Sequence, residues 1–236
     1  AEVHWEAQLR GHTSHGVVRI PAILEKLRDG TTNAAAKPRV VREKEATALV
    51  DGDGGLGPFV SFFAAGLAVR KARQAGSCAV GVVNTNHWGF PAMYGEYIAR
   101  EGLAAMLAAV TNPMVHPFGG TERVIGTNPL VIAVPSDSGP PLVHDFATSA
   151  IANGKVKQAQ MRGENLPEGV ALGPDGLPTR DPAAAQKGSL APMGGEIGGG
   201  HKGFGLGLCI GLLAGPLVGA MTGKAAIGGY EPGKRS

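Results

Sequence analysis

The chain has 236 residues, 43% hydrophobic and 17% charged, enough apolar material for a real core in one large domain or two small ones, which excludes a disordered or fibrous class. A net charge of +3, with Lys and Arg scattered rather than collected into a stripe, argues against a nucleic-acid partner and suits a small anionic ligand. Aromatics are only 5% while Gly reaches 38 and Pro 17, so the core must be built from aliphatic side chains, with much backbone in turns and close approaches.

In chain order, Ala1 to Leu9 has helical composition without a capping residue, as though the chain began inside a helix, and Gly11 should end it. A second helix is predicted from Pro21 through Leu27, stopping at Gly30, which puts Ser14, His15 and Arg19 on the turn between the two. A polar stretch then leads to a short strand at Ala46 to Val50, a glycine-rich segment Gly52 to Gly57, and a helix from Pro58 to Gln74 closed by Gly76.

Cys78 to Val83 reads as a buried strand, which places His87, in Asn84-Thr85-Asn86-His87-Trp88-Gly89, where that strand leaves the core. A helix from about Pro91 to Arg100 and a strand from Leu103 to Val110 follow. Beyond them the pattern turns extended: Thr111-Asn112-Pro113, the turn Pro117 to Gly120, Gly126-Thr127-Asn128-Pro129, and strands at Leu130 to Val134 and Leu142 to Asp145. A helix is predicted from Thr148 onward, residues 161 to 198 read as long loop, and a last helix spans Phe204 to Leu213. The apolar run Phe204 to Met221, broken by glycines and Pro216, reads as a buried helix rather than a membrane span, and no signal peptide is expected. Cys78 and Cys209 sit among apolar neighbours and read as buried free thiols of a reducing compartment, so the expected location is cytoplasmic.

Several motifs could carry chemistry. Gly52 to Gly57 and Gly198 to Gly203 both match G-x-G-x-x-G, the first in a strand, loop and helix context. A dinucleotide fingerprint wants an acid closing the next strand, and Asn84-Thr85-Asn86 closes it here, which argues against a Rossmann site. Lys202, at the mouth of the last helix, suits a cofactor phosphate or is simply a solvated lysine. Ser14, His15 and Asp145 supply the residue types of a hydrolytic triad, although Ser and His are neighbours in sequence and no nucleophile elbow occurs. His12 and His15 lack further ligands at metal spacing, so no metal is expected. His4, His116 and His144 read as histidines that merely satisfy hydrogen bonds.

Taken in order, Ser14-His15-Gly16 with Arg19, Asn84 to Gly89, Thr111-Asn112-Pro113 with Pro117 to Gly120, Gly126 to Pro129, Asp145-Phe146-Ala147-Thr148 with Gly154-Lys155, and His201-Lys202-Gly203 with Gly205 closely resemble the malate/L-lactate dehydrogenase type 2 family, over nearly the whole chain. That family also includes ureidoglycolate, sulfolactate and diketogulonate oxidoreductases and the piperideine-2-carboxylate reductases. The resemblance implies an NAD- or NADP-dependent oxidoreductase of α/β class, α+β type, in which a non-Rossmann cofactor domain with a large, mostly antiparallel sheet flanked by helices is paired with a helical domain, in a homodimer.

In this sequence, residues 1–71, continued by 203–236, would form the helical domain and residues 72–202 the cofactor domain. Family members are longer at both ends, so the resemblance implies further segments beyond this chain. It makes His87 the acid/base, Arg19 with Ser14 and His15 the substrate end, and Thr111, Asp145, Phe146, Ala147 and Lys202 the cofactor contacts. A relay of Ser14, His15 and Asp145, protonating a cyclic imine, is the competing assignment within the same resemblance. A proton donor titrating near neutrality and a planar cation for a carboxylate are what hydride exchange with a 2-oxo acid needs, and His and Arg supply them.

Overall fold

The computed structural model describes residues 1–223. Helix α1 (Glu2–Leu9) ends at a left-handed Gly11, and two 3-10 turns, Thr13–His15 and Val17–Arg19, lead into α2 (Ile20–Arg28). Strands β1 (Arg39–Lys44) and β2 (Thr47–Gly55) form an antiparallel pair, and β3 (Ala79–Thr85) adds parallel to β2 after helix α3 (Gly57–Ala75). A helical crossover of this kind is what returns a strand parallel to its predecessor. Gly76, at φ 80°, stops α3 as its position in the sequence predicts.

Helix α4 (Ala92–Arg100) precedes an antiparallel sheet of β4 (Ala105–Ala108), β5 (Leu130–Val134) and β6 (Leu142–Phe146). Gly95 on α4 lets that helix lie on the sheet: a Cβ there would come within 3.0 Å of the Val131 side chain. The main core joins Val3 and Ala7 of α1, Ala65 and Val69 of α3, and Phe90, Tyr94 and Ile98 at and within α4. A second core collects Val115, Ile125, Val156, Leu166 and Leu190.

Among the described residues the expected single large sheet is corrected to three small ones: a mixed three-stranded sheet, an antiparallel three-stranded sheet, and a two-stranded ribbon of β7 (Ala171–Leu172) and β8 (Ser189–Leu190). β1, missed in the polar stretch, shows outward-facing residues along most of its length and therefore lacks an apolar alternation. The pairing of β2 with β3 ties segment 1–71 to segment 72–202 through one sheet.

The helix predicted from Thr148 begins later, as α5 (Asn153–Arg162), because the Thr148 hydroxyl bonds back to the Thr127 and Asn128 carbonyls at 3.1 Å each and holds the chain in a turn. Region 161–198 is not all loop. It also carries α6 (Pro182–Lys187), whose Asp181 cap accepts from Ala183 N and Ala184 N with Pro182 at the first helical position.

Helix α7 (Gly200–Ala214) departs from the buried helix that its composition predicts. Its packed side is the glycine side: Gly203, Gly207 and Gly211 press on Met193, Thr148 and Asn128. That leaves Leu208, Leu212, Leu213 and the following Leu217 outward. The stretch Gly200–Val218 is long and apolar enough to cross a membrane by length and composition, and 28% of it is buried. Cys209 on this helix is exposed rather than buried, and Cys78 is half-buried, its thiol on the Ala68 carbonyl at 3.2 Å; both are free. Residues 224–236, which end the expected helical domain, lie outside the described residues.

Candidate active site

A cleft of about 2120 Å³ runs between the 3-10 turns, the ends of β3 and β6, and the start of α5. The first wall is built by Ser14, His15 and Arg19. Gly16 lets the turn lie flat on α1: a Cβ there would displace the Gln8 side-chain amide and stand 3.2 Å from Gln8 Cα. The Ser14 hydroxyl and His15 Nδ1 are 2.9 Å apart, the His15 carbonyl accepts from His4 Nδ1 at 2.8 Å, and Arg19 Nε donates to the Ser14 carbonyl at 2.7 Å. Arg19 is thereby aimed by its own turn, and its two terminal nitrogens have no hydrogen-bond partner among the described residues.

His87 enters from the end of β3 and stacks on His15, ring centroids 5.7 Å apart. Gly89 N donates to His87 Nδ1 at 3.1 Å, so Nδ1 carries a lone pair and the neutral ring holds its proton on Nε2, for which no protein partner occurs among the described residues. The residue is exposed where it borders the cleft; desolvation by the surrounding protein, then the positive charge of Arg19 and of His15, lowers its pKa to about 3. Burial and Arg19 likewise bring His15 down to about 4.

Thr111 and Asp145, Phe146 and Ala147 also line the cleft. The geometry about Thr111 explains the Gly126-Thr127-Asn128 motif. Gly126 has no room for a Cβ against the Thr111 carbonyl, and Thr127 and Thr111 share a hydroxyl contact at 3.3 Å. Buried Asn128 accepts from Thr111 N at 3.1 Å while donating to the Gly207 carbonyl of α7 at 2.9 Å. Asp145 accepts from Ala92 N at 3.1 Å, at the first turn of α4, where a carboxylate suits the helix dipole, and burial raises its pKa.

Asp145 is thus spoken for by α4, and no bond joins it to His15 among the described residues, so the Ser14–His15 half of the expected relay is assembled and the Asp145 half is not. The histidines whose charge acts on Asp145 are His12 and His144; His12, a cleft residue that sequence reasoning set aside, stacks on Phe90 at 4.8 Å. Gly154 is a second omission: it opens α5 so closely on the first wall that a Cβ would stand 2.7 Å from Ser14 Cβ and 3.6 Å from an Arg19 terminal nitrogen. Lys202 is exposed in the first turn of α7 and does not line the cleft.

A nicotinamide dinucleotide fits the residues present. The cleft is large enough, its ionic lining is Arg19, Lys26, Lys155 and Lys157 against the single carboxylate of Asp145, and α5 starts into it with no side-chain cap, leaving its first N–H groups for an anion.

The model of the malate/L-lactate dehydrogenase family matches residues 1–236. The L-sulfolactate dehydrogenase of Methanothermobacter thermautotrophicus is 42% identical over 232 residues, 98% of this chain and 66% of that protein, so the chain spans just under two thirds of that relative's length. Among solved structures, a dehydrogenase from Sinorhizobium meliloti superposes with a TM-score of 0.91 at 38% identity, covering 99% of this chain and 67% of the other. A delta1-piperideine-2-carboxylate reductase from Pseudomonas syringae superposes with a TM-score of 0.87 at 36% identity, covering 93% and 65%. The sequence motifs, the fold and these likenesses agree: the chain belongs to the malate/L-lactate dehydrogenase family.

Proposed function

We propose that this chain forms the substrate end and part of the cofactor site of an NAD(P)-dependent oxidoreductase acting on a small 2-hydroxy or 2-oxo acid. The observation that carries the reading is the convergence of Arg19, His15 and His87 in one cleft that Thr111 and Asp145 to Ala147 also line. The bound nicotinamide would supply or accept the hydride. Arg19 holds the substrate carboxylate through its two free terminal nitrogens, a paired contact that a lysine cannot make. Thr111, Asp145, Phe146 and Ala147 hold the cofactor.

His87 handles the proton. Neutral in the free protein with its proton on Nε2, it can donate that hydrogen bond to the oxygen of a 2-oxo acid; to take the hydroxyl proton of a 2-hydroxy acid at Nε2 it must carry its own proton on Nδ1 instead, giving up the bond from Gly89 N. In the direction of reduction it must first be protonated. The carboxylate of the substrate, placed on Arg19, offsets the positive charge that suppresses the imidazolium, so the acid form arises with substrate bound. The wider proposal is a cytoplasmic homodimer without nucleic-acid or membrane partners.

A second reading, reduction of a cyclic ketimine acid, is favoured by the formed Ser14–His15 contact and by the likeness to a reductase of that class. Both readings are tested by following nicotinamide absorbance with NADH and with NADPH against pyruvate, oxaloacetate, sulfopyruvate and the cyclic imine acids. Turnover of the open-chain acids supports the first, turnover of imines alone supports the second, and no cofactor binding with no turnover removes both.

A further inference from the structure

The parallel pairing of β2 and β3 runs from Thr47 opposite Ala79 to Asp51 opposite Val83 and resumes only at Gly55 opposite Thr85. Over that interval β2 carries extra chain, and the excess is a bulge with Asp53 and Gly54 in the left-handed region at φ 54° and 66°. A bulge in a strand re-aims the side chains beyond it. Here the partner strand responds as well, with Asn84 at φ 53°.

Six polar side chains hold this distortion. Asp51 Oδ1 accepts from Asp53 N at 2.9 Å and from Asn84 Nδ2 at 3.1 Å, while Asp51 Oδ2 takes Arg39 Nη2 at 2.6 Å. The Asp53 carboxylate accepts from Asn33 Nδ2 and Lys37 N at 3.1 Å each. Asn86 closes the arrangement: its Nδ2 donates to the Gly54 carbonyl at 2.9 Å and the Gly55 carbonyl at 3.2 Å. Its own backbone N donates to the Gly55 carbonyl at 3.3 Å.

Gly52 and Gly57 face the end of β3. A Cβ on Gly52 would lie 2.7 Å from the Asn84 carbonyl, and one on Gly57 would strike the His87 carbonyl and stand 2.5 Å from that of Asn86. The motif that looks like a phosphate loop is therefore a seat for the strand end that carries His87.

We propose that the Gly52 to Gly55 bulge and the side-chain amide of Asn86 are a positioning device for His87, setting where the chain leaves β3 and so where Nε2 points. This rests on the reading of His87 as the proton-handling group. Asn86 acts through its neighbour: its two amide hydrogens are spent on the Gly54 and Gly55 carbonyls, one residue before His87.

The test is Asn86→Asp, which keeps the size and turns the donor pair into an oxygen facing two carbonyls. In the protein with its nicotinamide cofactor, kcat should fall by about 10- to 100-fold, the effect of a misplacement near 1 Å, with cofactor affinity kept. The imidazole resonances of His87 should shift as the Gly89 N–H bond to Nδ1 is disturbed. The same substitution made on His87→Ala should cause no further loss. An equal loss in both backgrounds, or unchanged His87 resonances, overturns the proposal. Should Asn86→Asp be insoluble, Asn86→Ser keeps a shorter donor and should give a smaller loss with the same background dependence. If His87→Ala turns over like the parent, the proton-donor reading falls, and the ring resonances alone decide whether Asn86 positions His87.

Discussion

The rings of His15 and His87 lie stacked at 5.7 Å with their planes inclined by 26°, one on a 3-10 turn after α1 and the other at the end of β3. Two imidazoles this close, beside Arg19, cannot both hold a proton cheaply, so the pair behaves as one titrating unit. Each ring has its Nδ1 engaged, His87 by Gly89 N and His15 by the Ser14 hydroxyl, and each leaves Nε2 without a protein partner among the described residues. We propose His87 as the group that meets the substrate oxygen, because the Gly89 N–H bond fixes which of its nitrogens carries the proton.

His87→Ala is therefore expected to lower kcat by about two to four orders of magnitude, with cofactor affinity largely kept, whereas His15→Ala should lose less. Steady-state rates of both variants at saturating cofactor check this. Equal rates for His87→Ala and the parent would pass the role to His15.

The same pair predicts a pH dependence of stability. A histidine held neutral in the folded state, at about 3 for His87 and about 4 for His15, takes up a proton more readily when unfolded, where its pKa is near 6.5. Stability is thus complete above about pH 6.5 and declines as the pH falls from there towards 4. Thermal melts from pH 7.5 to 4.5 should show His87→Asn losing less over that range than the parent; parallel curves would count against a neutral, suppressed His87. An anion on Arg19 should reverse part of the suppression. Calorimetry with oxamate, an unreactive 2-oxo acid analogue, in buffers of different ionisation enthalpy should report proton uptake on binding.

Arg19→Lys should raise KM for the acid by about 10- to 100-fold, since it removes a charged, paired hydrogen bond, with a smaller change in kcat. The geometry adds a reason: Nε is already committed to the Ser14 carbonyl, so the guanidinium reaches the cleft pre-aimed, which a flexible ammonium does not. Initial-rate measurements over a range of acid concentrations decide it, and an unaltered KM would refute the carboxylate assignment.

Away from the cleft, Lys71 is buried on α3 with its ammonium on Glu43 at 2.8 Å and on the Lys44 and Glu45 carbonyls at 2.6 and 3.2 Å. It closes the β1–β2 turn onto the helix. Lys71→Ala should destabilise the fold by about 1–3 kcal/mol, because the carbonyls lose their donor and a void remains. Urea unfolding measures the change, and turnover of the folded variant should equal the parent's.

Much of this molecule is legible one segment at a time. Gly11 and Gly76 stop helices where a left-handed residue is needed, β5 occupies Leu130–Val134 as its apolar run suggests, and the short motifs in order identify the family. Where local reading failed, the deciding partner was distant. The onset of α5 was delayed by a Thr148 hydroxyl bonded to residues 127 and 128, and β1 exists because Arg39 to Lys44 has β2 to pair with. α7 was expected inside because it is apolar, yet its glycines pack more closely than its leucines could.

The stretch Asn84 to Gly89 shows the division most clearly. Sequence alone determined that a histidine stands at the end of a buried strand, because an apolar run followed by Asn and Gly can do little else. It also determined the family, through residue types in a fixed order. Only the tertiary structure decided that His87 meets His15 and Arg19, that Asp145 belongs to the α4 terminus, and that the glycines at 52 to 57 seat a strand and not a phosphate. Those relationships depend on which backbone can approach which other backbone to within a hydrogen bond, a condition set by packing across the sheet and absent from any local pattern.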